Sequence, residues 1–283
     1  MKITYFGTGG GAGVPEIFCS CRVCEVARQR RGRDIRTRSQ AAINDDLIID
    51  FPVDTFLHTL HGGLDMRKYH HVLITHSHFD HFLHQDLFSR AKGADIPLNI
   101  YVTEGSAKQV KQVKEAREQA FATGKRIRTD EMEIRIHIVR YFEPFCLLGY
   151  RVTPLRAHHA ANVESAIYLI EDTEGGRRLL WAHDTGLLPK DTMEYLAEKG
   201  GRLDFVSLDC TLERGNCITA GHMDLERCLD TLNWLRGCGL ADSGTKAVIS
   251  HIGHLLGRTH AELEAEAAEL GFITAYDGMT IQI

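Results

Sequence analysis

The stretch Thr75-His76-Ser77-His78-Phe79-Asp80-His81 decides how this chain is to be read. It continues from Val72–Thr75, an apolar run of strand character. Three imidazoles and one carboxylate, all within the six residues 76–81, cannot close around one ion as a compact tetrahedron. A turn at a strand end can instead send His76 and His78 one way and Asp80 and His81 another, which suits two neighbouring ions. Imidazole and carboxylate are the donors that zinc, manganese and iron accept.

Working outward, short runs rich in Ile, Val and Leu predict strands at Lys2–Phe6, Leu47–Ile49, Ile134–Val139, Arg151–Leu155, Ala166–Ile170, Leu179–Trp181, Phe205–Leu208, Ala247–Ser250 and Thr280–Ile283. Helical periodicity predicts helices over Ser106–Thr123, stopped by Gly124, and over Asp224–Arg236. Thr259-x-x-Glu262 is a capping-box pattern for a third helix, ending at Gly271. Many short strands with interspersed helices point to two sheets with helices outside. With no repeat and no Pro- or Ser-rich linker, a single domain over 1–283 is expected, with a helical insertion at about 104–145.

Composition narrows the classes further. Of 283 residues, 43% are hydrophobic and 25% charged, the balance of a globular protein. No apolar run is long enough for a membrane span, and MKITYFGTGGG lacks the apolar core of a secretory signal. A cytoplasmic protein without membrane partners is the expectation. The net charge of −5 gives no support for general nucleic-acid coating. In a reducing compartment, Cys19, Cys21 and Cys24 read as metal ligands rather than disulfide partners.

The H-x-H-x-D-H string resembles the defining motif of the metallo-β-lactamase superfamily, and the resemblance extends along the chain. Leu155-Arg156-Ala157-His158-His159 stands where the family has its third histidine. His159 matches the spacing of close relatives, six residues after the Thr of Thr153-Pro154-Leu155, with His158 in reserve. Asp184, in Trp181-Ala182-His183-Asp184-Thr185-Gly186, matches the bridging aspartate, and His251 the last histidine. The resemblance implies an α/β fold, the four-layer αββα sandwich. It also implies two divalent ions, Zn or Mn or Fe: His76, His78 and His159 on one, Asp80, His81 and His251 on the other, Asp184 shared. Asp50, closing the strand Leu47–Ile49, fits the family's carboxylate that orients a ligand histidine.

The cysteine cluster needs a fourth ligand, and His254 lies three residues beyond His251, so one loop could serve both centres. Cys3His is a closed structural zinc site. C-x-C-x-x-C after a Gly-rich loop and Val14-Pro15 is similar to the PhnP-like phosphodiesterase subgroup, and more distantly to PqqB-like proteins. That likeness also covers Gly221-His222-Met223-Asp224-Leu225, and it implies that His222, just before a helix start, is the general acid.

The expected function is therefore a metal-dependent hydrolase. It would be a phosphodiesterase that cleaves a small phosphodiester, cyclic ones included, with a metal-bridging hydroxide, using Asp80, Asp184 and His222. Alternatives are a thioester or lactam hydrolase on the same ions, or a non-catalytic PqqB-like biosynthesis protein. The expected partner is a small-molecule substrate, not nucleic acid; relatives suggest a homodimer. Gly7-x-Gly9-x-x-Ala12 fits a dinucleotide fingerprint only formally, because Val14-Pro15 follows and no helix opens there. Those glycines are expected to let a loop approach the metal centre closely. The arginines between Arg22 and Arg38, Arg36 among them, read as a solvated basic face. His58, His61, His70, His71, His84 and His137 are expected on surfaces.

Overall fold

The structure, a computed structural model, describes residues 1–88, 96–122, 134–212 and 221–283. In the N-terminal half the strands are β1 (Lys2–Gly7), β2 (Gln40–Ile43), β3 (Leu47–Ile49), β4 (His71–Leu73), β5 (Leu98–Val102) and β6 (Ile134–Ile138). The second half holds β7 (Phe145–Leu147), β8 (Tyr150–Arg156), β9 (Ala166–Asp172), β10 (Arg178–Ala182), β11 (Phe205–Asp209), β12 (Lys246–Ser250), β13 (Ile273–Thr274) and β14 (Thr280–Gln282). The helices are α1 (Arg22–Arg30), α2 (Thr55–His61), α3 (His84–Leu87), α4 (Glu104–Ala122), α5 (Lys190–Lys199), α6 (Leu225–Gly237) and α7 (His260–Glu269). The predicted stop of α4 at Gly124 lies outside the described residues.

The strands form two seven-stranded sheets, in the orders β14-β1-β2-β3-β4-β5-β6 and β13-β12-β11-β10-β9-β8-β7. Each sheet has an antiparallel part and a parallel part: β3 to β6 run parallel in the first, β10 to β13 in the second. Period-two alternation sorts the side chains into layers. Leu47, Ile49 and Leu73 of the first sheet meet Tyr168, Leu179, Trp181 and Phe205 of the second in the core between the sheets. The intervening Ile48 and Val72 face outward, against Leu87 of α3 and Val110 of α4. Leu180, Val206 and Ile249 face the opposite side, against Leu196 of α5, Leu232 of α6 and Leu263 of α7. Strands buried on both faces must be apolar throughout, which explains why these runs read as unbroken hydrophobic segments. The result is the αββα sandwich.

Helix ends follow local chemistry. Asp224 caps α6 by accepting from Arg227 N at 2.8 Å. Thr259 and Glu262 form the reciprocal capping box of α7, and Gly271 follows that helix at a φ of +85°. Two surface expectations fail. Arg36 is buried because Thr8 Oγ1, Ala275 O and His260 Nδ1 occupy its guanidinium, at 3.1, 2.7 and 2.9 Å. His58 is buried because its Nδ1 meets Gln40 Oε1 at 2.5 Å and its Nε2 meets Thr37 Oγ1 at 2.7 Å.

Candidate metal centre

The site is assembled from the carboxyl ends of strands, where parallel sheets leave a crevice. Asp50 follows β3, the Thr75–His81 turn follows β4, His159 follows β8, Asp184 follows β10 and His251 follows β12. Asp50 Oδ1 accepts from the Thr75 backbone N–H at 2.8 Å, and its Oδ2 meets His81 Nδ1 at 2.7 Å. The motif turn is closed by His81 N–H and Phe82 N–H donating to His78 O. Three of the residues that end strands here, Asp50, Asp184 and His251, hold left-handed φ values of +67°, +48° and +56°. Such a backbone turns each side chain away from the path its strand would have taken.

The seven side chains expected at the centre come together. One ligand atom from each of His76, His78, His159 and Asp184 lies within 4.8 Å of the others, and the same holds for Asp80, His81, Asp184 and His251. Asp184 stands between the groups: Oδ2 is 3.1 Å from His76 Nε2 and 2.9 Å from His81 Nε2, while Oδ1 is 3.1 Å from His251 Nε2. His159 Nε2 is 3.1 Å from His78 Nδ1, whereas His158 is exposed and is engaged through its backbone, its N–H donating to Thr185 Oγ1 and its carbonyl accepting from Gly186 N–H.

The donor chemistry fits cations. A neutral imidazole has one N–H and one lone pair. His81 Nδ1 faces Asp50, and His251 Nδ1 faces Asp209 Oδ2 at 3.2 Å, so both N–H groups are used there. Two Nε2 lone pairs are then left facing each other at 3.1 Å beside Asp184. Asp184 Oδ1 is itself buried without a hydrogen-bond donor. Positive charge at this point satisfies all three groups. In the metal-free chain, burial favours neutral forms, yet the carboxylates Asp184, Asp50 and Asp80 together hold the His81 imidazole well above its usual pKa. His76, buried and beside His81, is pushed down to about 3. The clusters of histidine and aspartate imply divalent metal ions.

Asp209, at the end of β11, is a site residue that the sequence reading missed. It is fully buried. Its carboxylate accepts from the backbone N–H groups of Asp184, Thr211 and Met223, at 3.1, 3.1 and 3.2 Å. It also meets His222 Nδ1 at 3.0 Å. Burial opposes a charge on His222, but Asp209, then Asp184, outweigh it and raise its pKa to about 9. The His222 side chain keeps 22% exposure, so its edge reaches solvent. The signal that could have found Asp209 is weak and shared with Asp50: a carboxylate at the end of a short, mostly apolar strand.

Two further segments border the centre. An added Cβ on Gly10 would sit 3.1 Å from His251 Cε1, and one on Gly11 would sit 3.0 Å from Asp80 Oδ2, so a side chain at either place would press on a residue of the centre. Gln109 of α4 donates from Nε2 to Ser77 Oγ at 3.1 Å, which places the first turns of that helix against the motif loop.

A second cluster lies nearby. Ligand atoms of Cys19, Cys21, Cys24 and His254 are all within 4.8 Å of one another. His254 Nδ1 is 3.4 Å from Cys19 Sγ and 3.6 Å from Cys21 Sγ. Burial raises the Cys21 thiol, but hydrogen bonds from the Cys24 backbone, His254 and Cys19 outweigh it and bring the pKa down to about 6. Thiolate character of that kind suits a soft-donor metal site. Among the described residues, no helix is long and apolar enough to cross a membrane.

Comparisons with known proteins agree with this picture. A family described as "Beta-lactamase superfamily domain" matches residues 50–252. A diphosphatase from the PhnP family superposes with a TM-score of 0.73 at 23% identity, covering 99% of this chain and 97% of that one. Zinc-bound PqqB from Methylobacterium extorquens gives 0.71 at 21% identity, with full coverage of both chains. The short form of human tRNase Z gives 0.66 at 16% identity, covering 100% of this chain and 99% of that one. At these identities the likeness is one of fold. A curated relative, an octanoyltransferase of Porphyromonas gingivalis, is 39% identical over 85 residues, 29% of this chain. The chain spans only 16% of that protein's length.

Proposed function

The chain belongs to the β-lactamase superfamily, whose metallo-hydrolase fold it shares, and we propose that it is a phosphodiesterase acting on a small phosphodiester with two divalent ions. In this reading His76, His78 and His159 would hold one ion, Asp80, His81 and His251 would hold the other, and Asp184 would serve both. Asp50 fixes the ring of His81. Cys19, Cys21, Cys24 and His254 hold a structural zinc. Ions bound at the paired site would supply Lewis acidity, lowering the pKa of a water to about 7 and neutralising charge that develops on phosphoryl oxygens.

The chain's own residues do the rest. Asp209 binds Nδ1 of His222, so the ring is fixed and Nε2 is left as the atom that can give a proton. In the metal-free chain, Asp209 outweighs burial and raises the pKa of that imidazole to about 9, which favours its protonated form. It can donate to the leaving oxygen of a diester, while Asp209 stabilises the charge it carries beforehand. The observation that supports this reading is the placement of His222. Its Nδ1 lies 3.3 Å from Asp184 Oδ1 and 3.0 Å from Asp209 Oδ2, so two carboxylates hold one edge of the ring and leave the Nε2 edge free of them.

The test is turnover of bis(p-nitrophenyl) phosphate and a 2′,3′-cyclic nucleotide by zinc- or manganese-loaded protein. His222→Ala should lower kcat by about 100- to 10,000-fold with metal content unchanged. Equal kcat in variant and wild type would remove His222 from the mechanism. A second reading, an acyl or thioester hydrolase, draws on the octanoyltransferase match. Thioester hydrolysis that survives His222→Ala, with no diester cleavage by the wild type, would favour it instead.

A further inference from the structure

We propose that Glu16 is a positioning residue for the Cys19/Cys21/Cys24/His254 centre. Its carboxylate accepts the Nε2–H of His254 and so fixes the tautomer that offers the Nδ1 lone pair to the metal held by the three sulfurs. The proposal rests on the structural-zinc reading above.

Glu16 Oε2 lies 3.1 Å from His254 Nε2, on the side of the ring away from the sulfurs. An ionised carboxylate only accepts hydrogen bonds, so the ring must carry its proton at Nε2. In a neutral imidazole that leaves Nδ1 bare, and Nδ1 is the atom that faces Cys19 and Cys21. A ring already turned and already in the right tautomer loses less freedom when it takes up an ion. A carboxylate behind it also makes it a stronger donor.

The backbone of the same residue serves the same cluster. The Glu16 N–H donates to Cys24 Sγ at 3.3 Å, a contact that favours the thiolate. Its carbonyl accepts from Arg28 Nη2 at 2.8 Å, while Arg28 Nη1 donates to Cys19 O at 2.6 Å. Arg28, on α1, thus clamps both ends of the segment that starts at Glu16 and reaches Cys19. The Glu16 side chain is 40% exposed, so replacing it leaves no buried hole.

The experiment uses the full zinc-loaded chain and follows transfer of zinc to a chromophoric chelator. The kinetic phase that disappears in Cys21→Ser belongs to the cysteine centre. Glu16→Ala should speed that phase about 10- to 100-fold. Glu16→Gln should fall between, because its amide oxygen still accepts from Nε2–H. In cobalt-substituted protein, the thiolate-to-cobalt absorption of Glu16→Ala should shift, as a re-oriented imidazole requires. An unchanged release rate in Glu16→Ala overturns the positioning role and leaves the zinc reading standing. Release from Glu16→Gln as fast as from Glu16→Ala also overturns it, since the accepted hydrogen bond would then be irrelevant. If wild-type protein holds no ion that Cys21→Ser loses, the zinc reading itself falls.

Discussion

The two clusters use opposite strategies to bring donors together. The centre around Asp184 collects nitrogen and oxygen atoms from the ends of β4, β8, β10 and β12, so it exists only when both sheets are formed and packed. The cysteine centre draws three sulfurs from the stretch Cys19–Cys24, and borrows a single imidazole from far along the chain. Four protein donors leave no place for a substrate, whereas the shared carboxylate centre opens toward His222. One is therefore suited to chemistry and the other to fastening. They meet in one loop, because His251 and His254 are three residues apart.

The sharpest way to break this contrast is to remove the shared carboxylate. Asp184→Ala should abolish paired-metal binding and lower turnover by at least about a thousandfold, while the cysteine-bound zinc stays in place. Elemental analysis and diester turnover on the same sample check both halves; parallel loss of all metal would erase the distinction. Next in size is the reverse experiment. Cys21→Ser should lose one zinc and lower the melting temperature by about 5–10 °C, as loss of about 3 kcal/mol does in a domain of this size. Its paired site should still bind metal when reloaded. A melting temperature equal to that of the wild type would deny the fastening role.

A smaller effect separates acid loss of metal from acid loss of fold. His58 touches neither cluster, and burial lowers its pKa to about 4 despite Asp54 nearby. The unfolded imidazole takes up a proton as pH falls through about 6.5, whereas the folded one stays neutral until near 4. The folded state is thus penalised as pH drops, by about 2 kcal/mol between pH 7 and pH 5. Urea midpoints of metal-free wild type and His58→Gln at both pH values measure it. An identical pH dependence in the two proteins would assign the acid sensitivity to other groups.

Much of the site could be read from the sequence because its chemistry is local where it matters most. His76, His78, Asp80 and His81 lie in one turn, and the three cysteines in one loop. The apolar runs that carry the site are buried on both faces, so β3, β4, β10, β11 and β12 declare themselves by composition. Asp209 did not, since a single aspartate after a strand looks like any loop residue until its five partners are brought to it by the fold. α2 was hidden for a different reason: its amphipathic pattern is inverted. Thr55 and His58 face inward, because Pro52 O, Gln40 and Thr37 need them, while Phe56, Leu57 and Leu60 are exposed. Periodicity alone would have buried the wrong face.

The left-handed backbones of Asp50, Asp184 and His251 carry a further consequence. Conformations of this kind cost roughly 1–3 kcal/mol each, though aspartate and histidine tolerate them better than most residues. Glycine would occupy all three positions more comfortably and perform none of their work. A laboratory selection that rewarded heat resistance alone would therefore tend to drift toward a calmer, inert protein, and keeping function requires that both traits be screened together.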